Sequence, residues 1–104
     1  MNAEIKQQWV EALRSGEYKQ GKDYLRRDGE YCCLGVLCDL HAQATGYRWD
    51  QNTRSNTYRN ADLYAPDEVL DWAGLTDQQG RVLATLNDGN ANFNAIAFAI
   101  EKLF

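Results

Sequence analysis

Nowhere in these 104 residues does an apolar run approach the ~20 residues that a membrane-crossing helix needs. The first residues, MNAEIKQQWVEAL, lack the basic-then-apolar order of a secretory signal, so a cytosolic location is expected. There is a single histidine, and there is no nucleophile elbow, phosphate-binding loop or paired-histidine metal motif. Enzyme constellations are therefore hard to assemble, and a non-enzymatic protein without a cofactor is expected. Charge of one sign is also missing. Lys and Arg number 11 against 15 Asp and Glu, a net charge of −4. Duplex nucleic acid, whose binding rests on neutralising phosphates with an extended basic face, is an unsuitable partner. The cysteine count is three, too few and too odd for a disulfide framework, and it suits a reducing compartment.

What is present is enough apolar material for one core, 44% of the residues, with 12% aromatic. The expected fold is α+β: a small, helix-dominated single domain over residues 1–104, with one or two short β-hairpins around a buried central helix. Asn2 can cap a first helix whose buried face is Ile5, Trp9, Val10 and Leu13, ended at Gly16. Asp28-Gly29 between DYLRR and EYCC is a hairpin turn signal. Residues 33–45 read as a helix closed by Gly46, apolar over most of its circumference and so buried on most sides. Gly35 inside it costs about 1 kcal/mol relative to Ala, which implies that another element packs closely there.

Residues 47–64 break every periodicity and read as a polar, aromatic excursion on the surface, with room for a second hairpin. Pro66 opens a helix, PDEVLDWAG, with Asp67 and Glu68 where the helix dipole favours carboxylates. RVLATLND reads as a short helix or turn, with Asn87 and Asp88 bonded locally within the turn that follows. Asn92 caps a last helix with Phe93, Ile96, Ala97, Ile100 and Leu103 inward. The C-terminal residues 61–104 hold seven acids and two bases, read as a solvated face or as a surface for a basic partner.

Cys33, Cys38 and His41 could supply three ligands to a zinc ion, but adjacent Cys32 and Cys33 diverge and Asp39 lies on another side of the helix. No C-x-x-C opens the helix for redox chemistry. Buried thiols packed as small hydrophobes, with no metal, are expected. The set with binding chemistry is Arg26, Arg27, Tyr47, Arg48, Trp49, Arg54, Tyr58 and Arg59. Rings alternating with guanidinium groups suit a nucleotide, which stacks and presents phosphate, and equally a protein interface. Ordinary cross-strand packing of a hairpin would place the same residues together.

The segments YKQGKDYL, YCCLGVLCDL, DWAGL and LATLNDGNANFNAIAFAIE resemble a family of small accessory proteins encoded by tailed bacteriophages. The resemblance runs from Trp9 to the end, with a variable middle at 47–62, and CCLGVLCD is its most specific part. Ala95 departs from it, since Glu or Gln there would complete a capping box with residue 92. The resemblance carries no catalytic residues. It implies a phage gene product in the cytoplasm of the infected bacterial host. Such proteins often counter host immunity, so the expected function is to bind and block a host defence protein. One alternative is a sponge for a cyclic or ADP-ribose-type signal nucleotide. Another is a phage structural or regulatory factor. The expected partner is thus a host defence protein or a signal nucleotide, not a membrane, with homo-oligomers allowed.

Overall fold

A computed structural model describes residues 1–51 and 55–104 of the chain. Helix α1 (Ala3–Arg14) starts where Asn2 Oδ1 accepts from the Ile5 amide at 3.0 Å, and buries Ile5, Trp9, Val10 and Leu13. Gly16, with φ +79°, takes the left-handed position just beyond its end. Strands β1 (Arg26–Arg27) and β2 (Glu30–Tyr31) form the expected hairpin across Asp28 and Gly29, whose φ values of 52° and 80° are those of a tight two-residue turn. Strand β3 (Ser55–Asn56) pairs antiparallel on the free edge of β1, giving the order β2-β1-β3.

Helix α2 (Cys33–Thr45) is the centre of the fold. Seven of its residues are buried, from Cys33 through Cys38 together with His41, and Gly46 ends it at φ +82°. Its position depends on two close approaches. The Trp9 indole donates to the Cys33 carbonyl at 3.0 Å, tying α1 to the first turn of α2. Gly35 lies so close to the chain at Leu25 that a Cβ there would stand 1.8 Å from the Leu25 carbonyl oxygen. The expected close packing at Gly35 is thus backbone against backbone. All three cysteines are free and buried. Burial pushes each thiol above its ordinary pKa, Cys32 to about 11, so they are protonated apolar packing units. Cys32 has a further role: its Sγ accepts from the Gly35 amide at 3.4 Å and caps α2.

Helices α3 (Asp67–Ala73), α4 (Asp77–Asp88) and α5 (Phe93–Leu103) complete the chain, with α5 packed mainly along α1. Three expectations need correction. RVLATLND is the larger part of a twelve-residue helix, because Thr76 and Gln79 form a capping box that starts α4 well before Arg81. Leu103 points outward, 68% exposed, where the α5 spacing had placed it inside. The stretch from 47 to 64 is not a surface excursion throughout. Trp49 and Tyr58 lie in the core, Tyr58 with no exposed surface, and the tight turn at Arg59-Asn60 closes between Tyr58 and Ala61.

Candidate functional site

Of the eight residues singled out from the sequence, the seven that are described do not form one surface. Trp49 is buried, and its indole donates to Asp39 Oδ1 at 3.0 Å. Asp39 also accepts from the Tyr18 hydroxyl at 2.5 Å and the Gln43 amide at 3.1 Å, so this carboxylate of α2 holds two rings and an amide. Tyr18, Tyr31 and Trp49 meet edge to face in succession, with centroids 5.0 and 6.0 Å apart. Arg26 enters this row from β1, its guanidinium carbon 5.5 Å from the Tyr31 centroid and 5.4 Å from that of Trp49. Arg27, the next residue of the strand, projects to the opposite face and covers Tyr24 at 4.5 Å. Arg48 is exposed. Arg54 lies outside the described residues.

Tyr58 meets the lone histidine. Its hydroxyl is 2.6 Å from His41 Nδ1, and Tyr47, Tyr58 and Trp72 pack around the imidazole with centroids 5.0 to 5.6 Å away. Burial pushes the Tyr58 hydroxyl up to about 12, so it stays protonated, and we assign it as the donor to Nδ1. Burial also lowers the pKa of His41, an effect that Glu68 opposes and Arg59 reinforces. A folded-state pKa below the unfolded value of about 6.5 means that the unfolded chain takes up the proton first. Stability is therefore expected to be intact above about pH 6.5 and to fall as the pH drops below it. Carboxylates held low in the fold, such as Asp50 beside Thr57, contribute only at lower pH. Urea midpoints at pH 7.5 and 5.0 should differ in the parent protein and converge in His41→Gln. An equal pH dependence in both would refute a neutral buried imidazole.

The surface members of the set occur in a construction that appears twice. Tyr47, 43% exposed, is covered by Arg59 at 4.4 Å, and Arg59 Nε donates to Glu68 of α3 at 2.7 Å. Tyr64, 45% exposed, is covered by Arg81 at 4.8 Å, and Arg81 Nε donates to Asp77 of α4 at 2.9 Å. Each is an outward ring, a guanidinium laid on it, and a helical carboxylate that fixes the guanidinium. Leu63, 42% exposed, precedes the second. Reading the residues by their spacing found Tyr47 and Arg59 but missed Tyr64 and Arg81, which lie 17 positions apart and meet only through the fold.

A second cluster was misread as local. Asn87 is fully buried, and its side chain reaches across the molecule. Its Oδ1 accepts from Gln20 Nε2 at 2.9 Å and from the Cys33 amide at 3.1 Å, while its Nδ2 donates to the Gly21 carbonyl at 2.9 Å. Gln20 also accepts from the Phe93 amide and donates to the Ala91 carbonyl. Asp88 takes the Asp23 amide at 2.9 Å. Three of the segments behind the phage resemblance, those around Gln20, Cys33 and Asn87, therefore converge on one satisfied polar knot that fixes the start of α2.

The sequence profile of a family described as "Domain of unknown function (DUF8296)" matches residues 1–104. The chain belongs to this family. No curated protein and no solved structure matches it. In this DUF8296 member open hollows of about 380 Å³ and about 370 Å³ lie between α1 and Glu101 and over Val82 and Leu86 of α4. Neither is lined by Trp49 or Tyr58. Among the described residues, no three His, Cys, Asp or Glu side chains gather as metal ligands, and no helix is long and apolar enough to cross a membrane.

Proposed function

We propose that the protein is a non-enzymatic, phage-encoded binding protein that acts in the cytoplasm of the infected host by docking on a host defence protein and blocking it. The observation that carries this reading is the doubled tyrosine–arginine–carboxylate construction at Tyr47 and Tyr64. Tyr and Arg dominate the energetic centres of protein interfaces, and side chains already fixed in place lose little entropy on docking. Burial of Trp49 and Tyr58 inside the core favours this over a nucleotide sponge, because neither ring is free to stack on a base. The phage resemblance supplies the setting.

The test is affinity capture from a bacterial lysate, followed by titration of the captured host protein with Tyr47→Ala and Tyr64→Ala variants of unchanged thermal midpoint. Loss of a central ring is expected to cost about 2 kcal/mol or more, roughly 30-fold in Kd. Full affinity in both variants would remove the tyrosines from the interface. Stoichiometric co-purification of a nucleotide would move the reading to the sponge, and capture of phage proteins alone would move it to a structural or regulatory role.

A further inference from the structure

Among the described residues three arginines have carboxylate partners: Arg14 with Glu101, Arg59 with Glu68 and Arg81 with Asp77. Arg26 has none among the described residues, although it is half-buried and clamped between the Tyr31 and Trp49 rings. Its Nε is buried without a hydrogen-bond partner, a state that native proteins seldom leave without a reason. Arg26 as a whole is only half-buried, and its terminal nitrogens make no hydrogen bond to a described residue. Asp39 acts on Tyr31 together with Arg26, but it makes no direct contact with the guanidinium and accepts instead from Tyr18, Trp49 and Gln43. Arg48, adjacent in sequence to Trp49, also makes no ion pair among the described residues. Arg26 thus stands without a direct carboxylate contact among the described residues, on a chain of net charge −4.

A guanidinium held rigid by two rings, with its Nε buried on a half-buried side chain, is a preorganised receptor for an oxyanion. We infer that Arg26 is an anchor for the carboxylate of an acidic segment on the partner protein, and this rests on the protein-binding reading above. A polyanionic nucleic acid fits less well, since the net negative charge of the chain repels it at long range and only isolated cations are offered.

The test needs no knowledge of the partner. The protein, ¹⁵N-labelled, is titrated with a hexaglutamate peptide while the arginine Nε–H and tryptophan indole signals are followed by NMR, with hexalysine and inorganic phosphate as parallel probes. Hexaglutamate is expected to shift Arg26 Nε–H and the Trp49 indole saturably, weakening as salt is added. Arg26→Gln should lose at least tenfold in affinity. Arg26→Lys, which keeps the charge and the packed stem but not the planar fork, should lose severalfold. Circular dichroism of both variants confirms the fold. Unmoved Arg26 signals, unchanged affinity in a folded Arg26 variant, or phosphate binding tenfold tighter than hexaglutamate would each overturn the proposal. Host-protein capture that needs Tyr64 but ignores Arg26 would also overturn it, leaving the protein-binding reading in place. Peptide binding at Arg26 with capture indifferent to both tyrosines would do the reverse.

Discussion

Gly35→Ala is expected to remove a large part of the stability of the fold at 25 °C. An added methyl carbon would sit 1.8 Å from the Leu25 carbonyl oxygen and 2.7 Å from its carbon. Both are backbone atoms, so no rotamer change relieves the overlap. Leu25 cannot simply move away. It has no exposed surface, its amide donates to the Asp62 carbonyl at 2.7 Å, and its carbonyl accepts from the Cys32 amide at 3.3 Å. Displacing it pulls on the hairpin, the 58–62 turn and the start of α2 together. A cost of about 4 kcal/mol or more places this substitution in the far tail of single-residue effects. That approaches the whole stability of many domains, about 5–15 kcal/mol. Gly80→Ala is the internal control. It too is a helical glycine, but its added Cβ would meet only Leu70 Cδ2 at 3.4 Å, an ordinary contact. There the better helix propensity of Ala should leave stability level or raise it by about 0.5–1 kcal/mol. Urea unfolding followed by circular dichroism compares the two. A Gly35→Ala loss below about 1 kcal/mol would mean that α2 and Leu25 separate easily, contrary to the packing described.

The contrast between these glycines explains what could be read from residues alone. Signals within one turn of a helix were legible: the Asn2 and Asn92 caps, the Asp28-Gly29 turn and the Gly46 stop all act locally and occur where their chemistry requires. The apolar circumference of α2 also implied burial, since no one face could be left wet. Gly35 marked a close approach but not its partner. Trp49 and Tyr58 were illegible for a different reason. Their neighbours in sequence are polar, and they enter the core from irregular chain, positioned by Asp39 and His41 of α2 rather than by any periodicity. The Tyr64–Arg81 contact likewise exists only after α4 folds back across the chain. Asn87 could have been recovered. With α4 begun at Thr76, the buried positions Gly80, Leu83, Ala84 and Asn87 share one helical face, and an amide on that face must find partners in the core.

Asn87→Ala should accordingly be costly despite removing only a small polar side chain. Its loss strands the Cys33 amide in the interior and takes a partner from the half-buried Gly21 carbonyl and from the Gln20 amide, which keeps its bond to Ala91. A buried group left without a partner costs about 1–3 kcal/mol and a half-buried one less, so a total of about 2–4 kcal/mol is expected. Asn87→Asp separates shape from chemistry. It keeps the volume but turns two donors into an acceptor facing the Gly21 carbonyl and Asp88 Oδ1, and it should be no milder. Gln20→Ala should cost less alone. Because Gln20 shares the knot, the double variant with Asn87→Ala should cost less than the two singles added together. Amide exchange supplies the local readout. The Cys33 amide should lose protection in Asn87→Ala beyond what the drop in global stability explains. Additive energies for the pair, with Cys33 still protected, would mean that the side chain of Asn87 is a bystander and that apolar packing alone holds the start of α2.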